Sequence, residues 1–104
     1  MTLDELFAIV EERRGGDPQA SYVARSFAKG RAKLVQKLGE ESVETVIAAM
    51  SGDRDAVIAE SADLLFHLTM VWADAGVAPA EVLAALESRR GTSGIDEKAS
   101  RKEP

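Results

Sequence analysis

Residues 57–76, VIAESADLLFHLTMVWADAG, are apolar on almost every side of a helix. A helix of that kind is stable in water only when neighbours cover most of its circumference, so it belongs at the centre of the fold. Laid out at 100° per residue, however, Glu60, Asp63, His67 and Asp74 fall in one stripe roughly 60° wide, flanked by Met70 and Val71. Charges drawn into a core need compensation. No lysine or arginine on this helix is placed to supply it. The stripe therefore either reaches solvent at an edge of the fold or meets a cation.

The rest of the chain supplies helices to cover this one. Residues 2–14 predict a first helix, with Thr2 and Glu5 at capping-box spacing and Leu3, Leu6, Phe7 and Val10 on one face. The stretch GGDPQAS breaks the pattern, and SYVARSFAKGRAK is expected to be a loop with a short helical turn ending near Gly30. A second helix is expected from about residue 32 to 50, closed by SGD with Gly52 after its end. Asp53 then caps a third, from about 54 to 75, which Gly76 ends. Pro79 suits the first turn of a fourth, reaching residue 89 or 90. Nothing alternates like a strand or repeats. The expected fold is all-α: an antiparallel bundle of four main helices plus short helical turns. It forms one domain over residues 1–90, followed by a polar, extended tail over 91–104. A chain of 104 residues buries only about two-thirds of its unfolded surface, so self-association would usefully complete such a bundle.

The second helix carries the other half of the acid pattern, in KLGEESVETVIAAM. Leu34, Val35, Leu38, Val43, Val46, Ile47 and Ala49 spread over a broad apolar arc. Lys37, Glu40, Glu41 and Glu44 fill the remaining sector, with Glu41 at the boundary. Like charges one turn apart cost a helix about 0.2–0.5 kcal/mol per pair, so taken alone this is an ordinary wetted face. The short SGD turn changes that, because it packs the second and third helices antiparallel and sets Glu41 and Glu44 opposite Glu60 and Asp63. Four carboxylates from two helices make an all-oxygen site of the kind preferred by hard cations, Mg²⁺ or alternatively Mn²⁺. His67, one turn beyond Asp63, is a partner to such a site, a proton carrier, or a hydrogen-bonded core histidine. Phe66 and Trp72 are explained by the core or an interface.

Charge is distributed unevenly along the chain. Every charged residue from Arg25 to Lys37 is basic: Arg25, Lys29, Arg31, Lys33 and Lys37. From Leu38 to Ser88 there are ten acids and only Arg54 is basic. A basic patch beside an acidic one suits a polyanion bound through divalent cations; equally, neighbouring helices would simply complement each other. A net charge of -5 argues against nucleic acid as partner. The acidic N-terminus is unlike a signal peptide, no apolar run approaches the roughly 20 residues that span a bilayer, and there is no cysteine. A cytoplasmic protein with no membrane partner is expected.

GEESVE followed by ESAD fits the E-x-x-E…E-x-x-D signature of the all-α nucleotide pyrophosphohydrolases, the MazG-type superfamily, at Glu41, Glu44, Glu60 and Asp63. The flanks SYVARSFAKGRAKLVQKLGEE, ADLLFHL and GTSGIDEKASR resemble the phosphoribosyl-ATP pyrophosphatases, and the similarity extends from Leu3 to Arg101. The resemblance implies Mg²⁺-dependent hydrolysis of phosphoribosyl-ATP to phosphoribosyl-AMP and pyrophosphate, the second step of histidine biosynthesis. It also implies a homodimer in which helices of two subunits complete the bundle. Two alternatives stay open: a housekeeping nucleoside-triphosphate pyrophosphatase on the same scaffold, and a non-catalytic helical dimerisation module.

On this reading Glu41, Glu44, Glu60 and Asp63 hold Mg²⁺ against the triphosphate. Glu40 or Glu44 takes the proton of the attacking water. Lys37 either reaches a phosphate oxygen or pairs with Glu40 and Glu41 along its own helix. Ser21, Tyr22, Lys29, Arg31 and Lys33 are assigned to the phosphoribosyl and phosphate groups. Ser93, Lys98 and Arg101 of the tail are expected to close over phosphate, from the same or the partner subunit.

Overall fold

The computed structural model describes residues 1–91. They form five helices and, among the described residues, no strand: α1 (Leu3–Arg13), α2 (Tyr22–Ala28), α3 (Arg31–Ser51), α4 (Arg54–Ala75) and α5 (Pro79–Glu87). The all-helical expectation therefore holds. One element differs: the stretch expected to be a loop with a helical turn is a two-turn helix, α2. Two local devices make it so. The Ser21 hydroxyl accepts the Ala24 N–H at 3.2 Å and starts the helix. Gly30, at φ 92°, then turns the chain through a conformation that L side chains avoid, so α3 starts at Arg31. α5 stops at Glu87, short of the expected end, and Ser88 to Gly91 continue as turns.

The capping box forms as the spacing predicts: Thr2 Oγ1 accepts from the Glu5 N–H at 3.1 Å, and the Glu5 carboxylate accepts from the Thr2 N–H at 3.2 Å. At the turn between the long helices Gly52 takes the left-handed conformation, φ 75°, and the Asp53 carboxylate accepts the Ala56 N–H at 3.2 Å. That turn makes α3 and α4 an antiparallel hairpin. Its register is visible at two points: Thr45 Oγ1 donates to the Glu60 carbonyl at 3.3 Å near the turn, and Arg31 Nε donates to Asp74 at 2.6 Å at the open end. α1 and α2 pack on the hairpin and α5 on α1.

The core lies where α1, α2 and the upper half of the hairpin meet. Val10, Val23, Leu34, Met70 and Ala73 are buried there, with Phe7, Phe27, Phe66 and Val71 packed around them. Arg14 ties three elements together. It donates to the Ala73 carbonyl at 2.9 Å, supplying a partner at the C-terminal end of α4, and lies 4.7 Å over the Phe27 ring. Cation–ring stacking of this kind contributes about 0.5–1 kcal/mol.

The lower half of the hairpin is bare within one chain. Val43, Val46, Ile47 and Met50 of α3 are 58–84% exposed, and Ile58 and Leu65 of α4 and Leu83 and Leu86 of α5 are exposed as well. Of the apolar arc on α3, only Leu34 is buried, together with the neighbouring Ala48. α4 has the length and mean hydropathy of a bilayer-crossing helix by composition, longer than the apolar run the sequence suggests. Here it packs on α3 and α1.

Candidate metal centre and adjoining groove

The hairpin register brings Glu41 of α3 opposite Glu60 and Asp63 of α4. One carboxylate oxygen from each lies within 4.8 Å of the others. Their surroundings differ. Glu41 is 5% exposed, Glu60 is half-buried and Asp63 faces solvent. Glu41 Oε2 and Glu60 Oε2 are buried and have no hydrogen-bond partner. Two buried carboxylate oxygens without partners, on two acids of one cluster, are costly as they stand. An oxygen-ligated divalent cation is the chemistry that such a donor set satisfies. The residues therefore fit a hard cation.

Glu44, the fourth expected ligand, is exposed and stands beside this trio. Desolvation pushes Glu60 above the ordinary carboxylate value of 4.5, and repulsion from Glu44, then Asp63 and Glu41, adds to it. A raised carboxylate makes a stabilising contribution that is complete below its unfolded value and is lost as pH rises through its folded one. Glu60→Gln should therefore raise the melting temperature of the metal-free protein at pH 7.5, and raise it by much less at pH 4. Thermal melts in EDTA check this; equal shifts at both pH values would mean that the cluster carries no repulsive strain.

Lys37 sits between two of the α3 glutamates, its Nζ 3.6 Å from Glu40 and 3.7 Å from Glu41. Its pKa is raised, first by Tyr22 and then by those two carboxylates. Glu40 moves the other way: the Gln36 amide donates to it at 3.0 Å, and this bond, followed by Lys37, holds its carboxyl below the ordinary range. Glu40 is thus a stabilised anion.

Beyond Lys37 a groove of about 330 Å³ opens between α2 and α3, lined by Tyr22, Ser26, Lys29, Lys33, Gln36 and Lys37, with Leu34, Glu40 and His67 completing its walls. Four of the expected substrate residues, Tyr22, Lys29, Lys33 and Lys37, converge there. Two others are placed differently. Ser21 serves as the cap of α2 and lines a second hollow on Tyr22's other side, and Arg31 pairs with Asp74. Ser93, Lys98 and Arg101 lie outside the described residues.

Sequence reasoning missed Ser26 and Gln36, although Lys33, Gln36, Lys37 and Glu40 have the spacing of one helix face. It also missed the pairing of Tyr22 with His67. His67 is 6% exposed and hydrogen-bonded at both ring nitrogens: Nδ1 lies 2.7 Å from the Asp63 carbonyl oxygen and Nε2 lies 2.9 Å from the Tyr22 hydroxyl. Of the three roles open to it, the hydrogen-bonded core histidine is the one its contacts describe.

Comparison with known proteins points in one direction. Residues 3–90 match the family described as phosphoribosyl-ATP pyrophosphohydrolase. Curated proteins named phosphoribosyl-ATP pyrophosphatase are similar over nearly the full chain. The one from Rhizorhabdus wittichii is 61% identical over 96% of this chain and 94% of its own. Those from Paramagnetospirillum magneticum and Azospirillum brasilense are each 57% identical, over 95% and 96% of this chain and 91% and 90% of theirs.

Proposed function

The chain belongs to the phosphoribosyl-ATP pyrophosphohydrolase family, and from that premise we propose that it hydrolyses phosphoribosyl-ATP to phosphoribosyl-AMP and pyrophosphate. This is a step of histidine biosynthesis, and we assign it to the cytoplasm. The observation that carries the reading is the acid cluster, with its two buried, unpartnered carboxylate oxygens across the α3–α4 seam. Glu41, Glu44, Glu60 and Asp63 would hold Mg²⁺, with Mn²⁺ the alternative. When bound, such an ion neutralises charge on the phosphoanhydride oxygens and acidifies a water.

The chain's own residues divide the remaining work. Lys37, beside both the cluster and the groove, donates to a phosphate oxygen of the triphosphate. Of the two candidate bases, Glu40 is weakened by the donors that hold it ionised. Glu44 has no ion-pair partner among the described residues and stands against Glu60, so it is the better placed to take a proton from water. The exposed apolar residues of α3, α4 and α5 form the face on which two copies associate, and each subunit thereby covers the other's bare hairpin.

The test compares phosphoribosyl-ATP with ATP and deoxynucleoside triphosphates under Mg²⁺, following pyrophosphate release. Preference for phosphoribosyl-ATP by at least about 100-fold in kcat/KM is expected for a site that hydrogen-bonds the extra group. Comparable rates on all substrates would make the chain a general nucleotide pyrophosphatase. No release from any of them would leave a non-catalytic helical module.

A further inference from the structure

Apart from the acid cluster, one part-buried polar chain crosses between elements and is not used by the chemistry above. It runs from the Asp63 carbonyl through His67 to the hydroxyl of Tyr22. Its proton positions follow from its first member. A carbonyl oxygen has no proton to give, so the bond at 2.7 Å requires Nδ1 of His67 to be the donor. A neutral imidazole has one N–H, so Nε2 is left with a lone pair. In that tautomer the Tyr22 hydroxyl donates to Nε2. Its single proton is spent inward, and toward the groove it presents lone pairs only.

A second oxygen in the groove is in the same position. Ser26 Oγ donates to the Tyr22 carbonyl at 2.8 Å, so it too is left as an acceptor. The other side of the groove is the reverse: Lys29, Lys33 and Lys37 carry donors and positive charge. Lys29 has no side-chain partner among the described residues. A bare phosphate finds partners only on the lysine side, because oxygens with no proton to offer repel it. A group carrying both an anion and hydroxyl donors matches both sides.

We propose that Tyr22 is a specificity-determining residue, whose oxygen, its proton committed to His67, accepts a hydrogen bond from a ribose hydroxyl of the substrate's phosphoribosyl group while Lys29 and Lys33 take that group's phosphate. This rests on the pyrophosphohydrolase reading and deepens it. Tyr22 contacts the part of phosphoribosyl-ATP that ATP lacks. His67 acts through Tyr22 as a positioning residue, and the backbone of Asp63 fixes its tautomer.

Tyr22→Phe is the test. It removes one oxygen and keeps the ring, which packs against Phe66 and His67. The probes are phosphoribosyl-ATP as substrate, and ribose 5-phosphate and inorganic phosphate as competitive inhibitors, all with Mg²⁺. In the wild type, ribose 5-phosphate should compete more tightly than inorganic phosphate. In the variant, KM for phosphoribosyl-ATP and Ki for ribose 5-phosphate should each rise about tenfold, the loss of one net hydrogen bond. kcat should move much less, and Ki for inorganic phosphate should stay put. Three results would overturn the proposal: no competition by ribose 5-phosphate in the wild type, an unchanged KM, or an equal loss in both inhibitors with a matching fall in kcat. A wild type that releases no pyrophosphate from phosphoribosyl-ATP would instead sink the underlying enzyme reading.

Discussion

Replacing Asp63 with asparagine is expected to lower kcat for pyrophosphate release by about 100-fold or more and to shift the Mg²⁺ dependence to higher concentration. The substitution is nearly isosteric, and Asp63 faces solvent. Its contribution to the protein's internal hydrogen bonding is through the main chain, whose carbonyl accepts from His67. Asparagine keeps that carbonyl, so helix content and melting temperature should stay close to those of the wild type. What it loses is the negative charge that faces Glu41 and Glu60. Circular dichroism and a Mg²⁺ titration of the rate separate the two effects. Near-normal turnover at low Mg²⁺ would remove the acid cluster from the mechanism.

Ile47→Glu should have the second large effect, this time on assembly. Ile47 is 62% exposed in the isolated chain, so a charge there would cost a monomer no more than about 0.5 kcal/mol. In a dimer that covers the lower hairpin the same charge is buried without a partner, at about 3 kcal/mol or more. The dimer dissociation constant should rise by about 100-fold or more. Sedimentation velocity at micromolar concentration should show wild-type dimer and variant monomer, and the wild-type melting temperature should rise with protein concentration. A monomeric wild type, or a variant that still dimerises normally, would rule out this face as the interface.

The long elements were legible in the sequence because their signals are local and redundant. The Thr2–Glu5 box, the turn through Gly52 and Asp53, Gly76, and Pro79 each mark a boundary by a chemistry that the structure repeats. The acid cluster was legible for a related reason. It depends on two helix faces and one tight turn, and helical spacing supplies the faces. What the sequence withheld is longer in range or finer in detail. α2 is only two turns long, too short for a periodic signal to outweigh the glycines and proline around it. Tyr22 and His67 lie 45 positions apart, and nothing in either segment names the other. Helical spacing puts the valines and isoleucine of α3 on one apolar arc, but it does not distinguish a face buried within a chain from one left exposed, as this one is.

The turn at Gly52 and Asp53 also bears on how the molecule is made. Because α3 and α4 are consecutive, the acid cluster is built from contacts of short sequence separation, the kind that closes quickly and at small entropic cost. The hairpin can form before α1 and α2 have packed on it, and its apolar lower half stays uncovered in the single chain. If two copies associate through that face, as proposed above, folding would split into a fast unimolecular stage and a slower one whose rate depends on concentration. Between the two stages the exposed valines are the segment most at risk of sticking to the wrong partner.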